Sequence, residues 1–247
     1  PVTAYRPDDH VWHKGLSLAL PVVGEHNFWG GPTYIHGQGY VQLSNNGAQV
    51  HRGFLTSSAR DADSIRVDEQ LDWIAEDGTL ILTEVRTLTA RLLDDETWAL
   101  TWRRALTTVT DAALGFGSPT AKGRENAGYA GILWRGPVSF TGGEILAPSG
   151  PAGDAARGEA GPWLAYSAPD STADAPTPGI LMLDASDPVS DAGNPWFARS
   201  EEYAGLNPAP FFFEETSLAP GATLVLGAAL IIGSEDVTRF APHAGAD

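Results

Sequence analysis

Residues 79–92 (TLILTEVRTLTARL) and 97–109 (TWALTWRRALTTV) are two runs rich in Thr, Val, Leu and Trp, with Asp94-Asp95-Glu96 between them and Glu76-Asp77-Gly78 before the first. β-Branched and aromatic residues favour extended backbone, so two such runs flanked by turn signals read as one long antiparallel hairpin. Within the second run, strict alternation puts Trp98, Leu100 and Trp102 on one face and Thr97, Ala99 and Thr101 on the other. Nowhere do ten or more residues combine a 3.6-residue period with caps at both ends. The expected fold class is therefore all-β: a large antiparallel β-sandwich with few or no long helices.

Further strands are expected at 65–75, 113–117, 129–135, 162–167, 179–184, 210–216 and 223–232. The 46 Gly and Pro residues exceed the average share of about 12% but fall short of the roughly 25–30% that signals disorder. A chain of 247 residues is read as one sandwich, since undivided β domains reach about 200–250 residues. Residues 148–178 look like loop-rich insertions around a short strand, and 234–247 like a surface tail in which His243 is solvated.

Charge narrows the partners. The formal net charge is −16, with Lys14 and Lys122 the only lysines. Such a surface repels phosphate backbones and anionic membranes, so nucleic acid and membrane are not expected, whereas a neutral sugar is unaffected. There are no cysteines, which removes disulfides, thiolate metal sites and a cysteine nucleophile. The apolar run at 224–233 is half the length a membrane helix needs, about 20 residues. The expected location is cytoplasmic, with an upstream segment left open because the chain begins with Pro.

Five of the six histidines, His10, His13, His26, His36 and His51, lie in the first 51 residues among aromatics and glycines. Imidazole suits both proton transfer near neutral pH and metal binding. In Asp8-Asp9-His10-Val11-Trp12-His13 the two imidazoles face opposite sides of a strand, but converge in a turn. With Asp8 or Asp9, and with His36 or His51, they offer three readings: a divalent metal site of His10, His13, His36 and His51, metal-free sugar contact with acid/base work, or structural hydrogen bonding. No cofactor is otherwise implied.

Other constellations carry paired readings. Glu84 and Arg86 share a strand face with Leu80, Leu82 and Leu88, which marks either the polar end of a cleft or a structural ion pair. Arg124, Asn126 and Tyr129, with Trp134 and Arg135, surround a strand with the aromatic faces and planar polar groups that sugars use, or else form a packed strand with solvated arginines. In Phe211-Phe212-Phe213-Glu214-Glu215, alternation turns one of Glu214 and Glu215 toward an apolar interior, where a carboxyl pKa rises. Phosphate-loop, dinucleotide and GxSxG signatures are missing, so nucleotide and serine-hydrolase chemistry lack support.

YRPDDHVWHKGL, HNFWGG, VHRGF, GRENAGYAGILWRGP and FFFEETSLAPG together resemble the soluble bacterial family labelled PmoA-like, across residues 2–233. Relatives there often read His-Asp-His or His-Pro-His-His where this chain has Asp8-Asp9-His10. The label derives from a methane monooxygenase subunit, an integral membrane protein, and the family is similar to galactose-mutarotase-like sandwiches that bind carbohydrate on a concave sheet. In mutarotases an imidazole and a carboxylate exchange protons with the sugar, and Glu215-Thr216 before Pro220-Gly221 resembles the carboxylate segment.

The resulting expectation is a carbohydrate-active enzyme that epimerises, or eliminates across, a sugar or keto-glycoside in sugar catabolism. His13, His10 and Glu215 or Glu214 would move protons. Trp12, His36, His51, Glu84, Arg86, Arg124, Asn126, Tyr129, Trp134 and Arg135 would contact the small-molecule carbohydrate. The alternatives are a non-catalytic sugar-binding sandwich and a metal-dependent oxygenase-like protein.

Overall fold

The expected hairpin pairs antiparallel from Leu82↔Thr108 to Leu92↔Trp98 in the computed structural model, which describes residues 1–61, 63–169, 178–187, 193–234 and 236–241. His243 and residues 170–177 of the expected insertion lie outside those residues. In chain order the strands are β1 (Leu16–Ala19), β2 (Val22–Val23), β3 (Thr33–Ile35), β4 (Gly39–Val41), β5 (Ala48–Asp61), β6 (Ser64–Ile74), β7 (Leu80–Leu92), β8 (Thr97–Thr108), β9 (Leu114–Gly117) and β10 (Gly131–Arg135). There follow β11 (Glu144–Ala147), β12 (Gly150–Pro151), β13 (Ala160–Gly161), β14 (Trp163–Ser167), β15 (Gly179–Asp184), β16 (Asn194–Arg199), β17 (Gly205–Pro208), β18 (Thr216–Leu218) and β19 (Thr223–Gly233). Among the described residues the helical segments are single 3₁₀ turns of three or four residues.

Two large antiparallel sheets carry the fold. One has nine strands in the order β12-β11-β14-β15-β19-β8-β7-β6-β5, the other five in the order β1-β10-β17-β16-β13. A three-stranded sheet, β18-β9-β2, and the hairpin β3-β4 complete the described strands. The main core joins both large sheets: Trp134, Leu206 and Ala198 from the smaller pack in one cluster with Trp73, Leu82, Leu106, Tyr166, Met182 and Leu230 from the larger. The architecture is an all-β sandwich, as the periodicity requires.

Two parts of the chain depart from the expected elements. β5 has no clean period-two pattern because three register shifts, at His51/Gly53, Phe54/Thr56 and Ala59/Asp61, interrupt its pairing with β6; bulges re-aim side chains, so alternation is lost in the sequence too. Of residues 210–216, expected as a strand, 210–215 form a turn in which Phe212 N–H donates to the Ala209 carbonyl (3.0 Å), and only Thr216 is extended, opening β18. Phe211 and Phe212 are both buried, in different clusters, an arrangement adjacent residues of a strand with one exposed face do not allow. The turn leaves Glu214 and Glu215 both exposed, so neither enters the apolar interior expected for one of them.

Period two also sets where a site can be. On β10, Trp134 points into the core while Leu133 and Arg135 point to the other face of the small sheet. Register places Arg135 opposite Gly205, and Gly205 opposite Arg199. Leu133 and Phe197 pack there with Phe212, Trp29, Tyr129 and Tyr203 in a second cluster.

Candidate functional site

A cleft of about 330 Å³ opens against this outer face, lined by His10, Trp12, Trp29, Pro32, Tyr40, Arg124, Tyr129, Phe197, Arg199, Glu202 and Tyr203. It deepens into a small recess where His13, Leu133 and Arg135 join His10, Trp29 and Tyr203. A cavity of this size suits a small-molecule ligand, for which about 300–1,000 Å³ is typical. A second cleft, of about 430 Å³, is lined mainly by Ala, Pro and Gly with Trp163 and Trp196. It is larger, but its Trp196 indole already donates to the Gly161 carbonyl (2.7 Å), so the first cleft is the better candidate on chemistry.

The N-terminal segment builds the cleft through two successive turns. His10 N–H donates to the Pro7 carbonyl and His13 N–H to the His10 carbonyl, each at 2.9 Å. These turns, and not a strand, bring His10, Trp12 and His13 to one site. The Trp12 ring lies on Gly30 and Gly31, where a Cβ would stand 3.2 Å and 2.6 Å from ring atoms; both glycines have positive φ (+96° and +69°), so the pair is needed for space and conformation alike.

The two imidazoles are held in complementary states. His10 Nδ1 lies 2.8 Å from Asp9 Oδ2. Burial alone would raise the Asp9 carboxyl, but hydrogen bonds from Arg135 and His10 outweigh it and hold Asp9 below its ordinary value. An ionised carboxylate only accepts, so Nδ1 carries the proton in the contact with Asp9, and Nε2 is the ring atom left for a base role. In His13 the assignment is reversed. The Gly15 N–H donates to His13 Nδ1 (3.1 Å), which leaves the proton on Nε2. That Nε2–H is buried and has no hydrogen-bond partner among the described residues. Burial, then the charges of Arg135 and His10, push the His13 pKa down to about 3, so the ring stays neutral near pH 7.

Arginines and tyrosines frame these rings. Arg135 is buried, its Nη2 donating to both Asp9 carboxylate oxygens (2.8 and 2.7 Å). Its guanidinium stacks on Tyr203 at 4.0 Å, with Arg199 5.5 Å from the same ring. Gly205, between the two arginines in register, makes room for that ring: a Cβ there would meet Tyr203 at 3.0 Å. Tyr129 OH lies 3.0 Å from Tyr40 OH, and burial, with the Tyr40 neighbour, pushes Tyr129 well above the usual phenol range. Arg124 donates to the Tyr40 hydroxyl.

The other candidates lie elsewhere. Trp134 is fully buried in the main core, its indole donating to the Val2 carbonyl (2.8 Å). His36 is exposed and packs on Gly123. His51 sits on β5, its Nδ1 2.6 Å from Glu69 Oε1. Glu84 is enclosed with Arg104, which donates to both of its oxygens at 2.6 Å, with Trp73 (2.7 Å), and with Arg86, which also reaches Glu69. Asn126 is exposed at φ 57°, a left-handed conformation Asn tolerates. Glu215 pairs with Lys122, and neither Glu214 nor Glu215 lines the cleft. The expected metal set is not assembled either. Among the described residues no group of three or more His, Asp or Glu is placed to hold a metal ion, and His13 Nδ1 is occupied by a backbone donor.

Phe197, Arg199, Glu202 and Tyr203 complete the cleft, and none of the motifs read from the sequence includes them. Their one local signal is an Arg following Trp196-Phe197 at a strand end, ahead of Glu201-Glu202-Tyr203. No helix among the described residues is long and apolar enough to cross a membrane. A model described as a family of unknown function (DUF6807) matches residues 1–242, and the chain belongs to that family. No curated protein matches it.

Proposed function

We propose that this member of the DUF6807 family is a carbohydrate-active enzyme that moves a proton on a sugar or keto-sugar bound in the His10–Arg199 cleft. The observation that carries the reading is the pair of complementary imidazoles. His10, aligned by Asp9, offers a basic Nε2, while His13 offers an Nε2–H that no protein group uses. Abstraction of a proton next to a carbonyl needs both: a base at the carbon, and a donor at the oxygen where negative charge develops. His10 would take the proton and become imidazolium, neutralised by Asp9; His13 would donate a hydrogen bond to the enolate oxygen without surrendering its proton. Epimerisation follows when solvent water protonates the enolate on its other face and His10 releases its proton to solvent, and loss of a β-substituent instead completes an elimination.

The aromatic walls support a sugar ligand, because Trp12, Trp29, Tyr40 and Phe197 offer flat faces to C–H surfaces. The PmoA-like resemblance, with its mutarotase-like sandwich and its setting in sugar catabolism, belongs to the same proposal. So does a cytoplasmic location. In this reading His10 takes the base role, and the carboxylate pair Glu214–Glu215 has none.

The test is deuterium exchange. Keto-sugars incubated with the protein in D₂O are followed by NMR for loss of the C–H signal next to the carbonyl. Exchange that disappears in His10→Ala while sugar affinity persists supports the reading. Sugar binding without exchange by the wild type against a panel of ketoses and keto-glycosides points to the non-catalytic alternative.

A further inference from the structure

We propose that the cleft selects an anionic ligand, an acidic sugar whose carboxylate is taken by Arg124 and Arg199. The word "sugar" here rests on the function proposed above; the preference for negative charge rests on separate observations. The first is the kind of polar group left unused. Five buried side-chain polar atoms have no hydrogen-bond partner among the described residues, and three of them, Trp12 Nε1, His13 Nε2 and Arg199 Nε, belong to residues lining this cleft or its recess. All three are N–H donors. Buried donors without acceptors are costly and rarely persist. The three atoms are covered in the empty cleft, so a ligand relieves them only as their side chains turn toward it, and it must bring acceptors; a carboxylate brings only acceptors, whereas each sugar hydroxyl also brings a donor.

The second observation is charge. The chain has a net charge of −16 and only 15 Lys and Arg residues, yet Arg124, Arg135 and Arg199 all border this cleft. Asp9 neutralises Arg135. Arg124 has no carboxylate partner among the described residues; its contacts are the Tyr40 hydroxyl and the Tyr40 ring, 4.6 Å away. Arg199 pairs with Glu202, which is three residues on and 70% exposed. Arg199 itself is only 15% exposed, so the pair is solvated at its Glu202 end alone; Glu202 can return to water when a ligand carboxylate takes its place, and that carboxylate also supplies an acceptor for Arg199 Nε. Planar guanidinium groups fixed on aromatic faces are suited to a planar carboxylate.

The experiment is calorimetric titration of the full chain with D-glucuronate, D-galacturonate, D-glucose, D-galactose and citrate. The expected result is at least about tenfold tighter binding of the uronates than of the matched neutral sugars, a margin that shrinks between about 20 and about 200 mM salt. Arg124→Gln should erase the margin, and Glu202→Gln should tighten uronate binding. Equal affinity for glucuronate and glucose, or a margin unchanged in Arg124→Gln, overturns the anion preference and leaves the sugar reading intact. Citrate binding as tightly as glucuronate, with no neutral sugar bound, overturns the sugar reading and leaves the anion preference standing. No binding of any probe overturns both.

Discussion

Two of the clusters of charged and aromatic side chains among the described residues are built to opposite ends. On the nine-stranded sheet, Gln49, Glu69, Glu84, Arg86 and Arg104 form a chain across β5 to β8 in which Glu84 receives Trp73, Arg86 and both arms of Arg104. Burial alone would raise the Glu84 carboxyl, but Arg104 and Arg86 outweigh it and the group sits below its ordinary value. In the cleft on the five-stranded sheet, Trp12, His13 and Arg199 keep buried donors without partners. Similar residue types thus make a network closed around Glu84, with the neighbouring Trp102 Nε1 left unpartnered among the described residues, and an open set of three donors in the cleft. A satisfied buried network rigidifies a fold; unsatisfied donors around a cavity are the mark of a site that a ligand completes.

The largest effect should separate stability from function. Arg104→Met leaves Glu84 buried beside weaker partners, and denaturant unfolding should show a loss of about 3–5 kcal/mol. Adding Glu84→Gln should recover part of it. A loss below about 1 kcal/mol in the single variant would mean that the network is solvated and the contrast with the cleft is false.

In the cleft the signs reverse. His10→Ala should cut exchange or turnover by about 10²–10⁴-fold, while the unfolding midpoint stays near that of the wild type, because His10 is half-buried and its ion-pair partner Asp9 is half exposed. A large drop in the midpoint with little change in rate would assign His10 to the fold instead.

His13 links the two properties through pH. Its folded pKa, about 3, lies below its ordinary 6.5, so between those values the unfolded chain binds the extra proton. The stability of keeping the ring neutral is complete above pH 6.5 and is lost as pH falls toward 3. From about pH 7 to about pH 5 the wild type should therefore lose about 2 kcal/mol more than His13→Gln. Parallel pH profiles for the two proteins would show that the imidazole is reached by solvent and titrates normally.

The smallest effect is expected at the carboxylate the sequence reading paired with His13, Glu215 or its neighbour Glu214. Glu215→Gln breaks an exposed pair with Lys122 and should change stability by less than about 1 kcal/mol, with exchange unaltered. A loss of exchange comparable to that in His10→Ala would return Glu215 to the chemistry.

What the sequence by itself determined is the class of the fold and the neighbourhood of the cleft. The β7–β8 hairpin is legible because alternation persists for its full length, and its register follows from the short Asp-rich turn. His10, Trp12 and His13 are legible as a group because two four-residue turns join them, an interaction of near neighbours. Tyr129, Arg124 and Arg135 are legible as residue types suited to such a cleft. Only the tertiary structure decided the rest. Whether Glu84 served a cleft or a core depended on Arg104, twenty residues away on the next strand. Trp134 and Arg135 are adjacent in sequence but face opposite sides of β10, and which side holds the core is set by the packing of the two sheets. Arg199 meets Arg135 only across Gly205, through pairing of β10, β17 and β16. His36 and His51 share the histidine-rich segment yet lie outside the cleft, because His36 follows β3 at its turn into β4 and His51 lies on the bulged β5. Local pattern fixes which face of a strand a side chain takes; the pairing of distant strands fixes what that face meets.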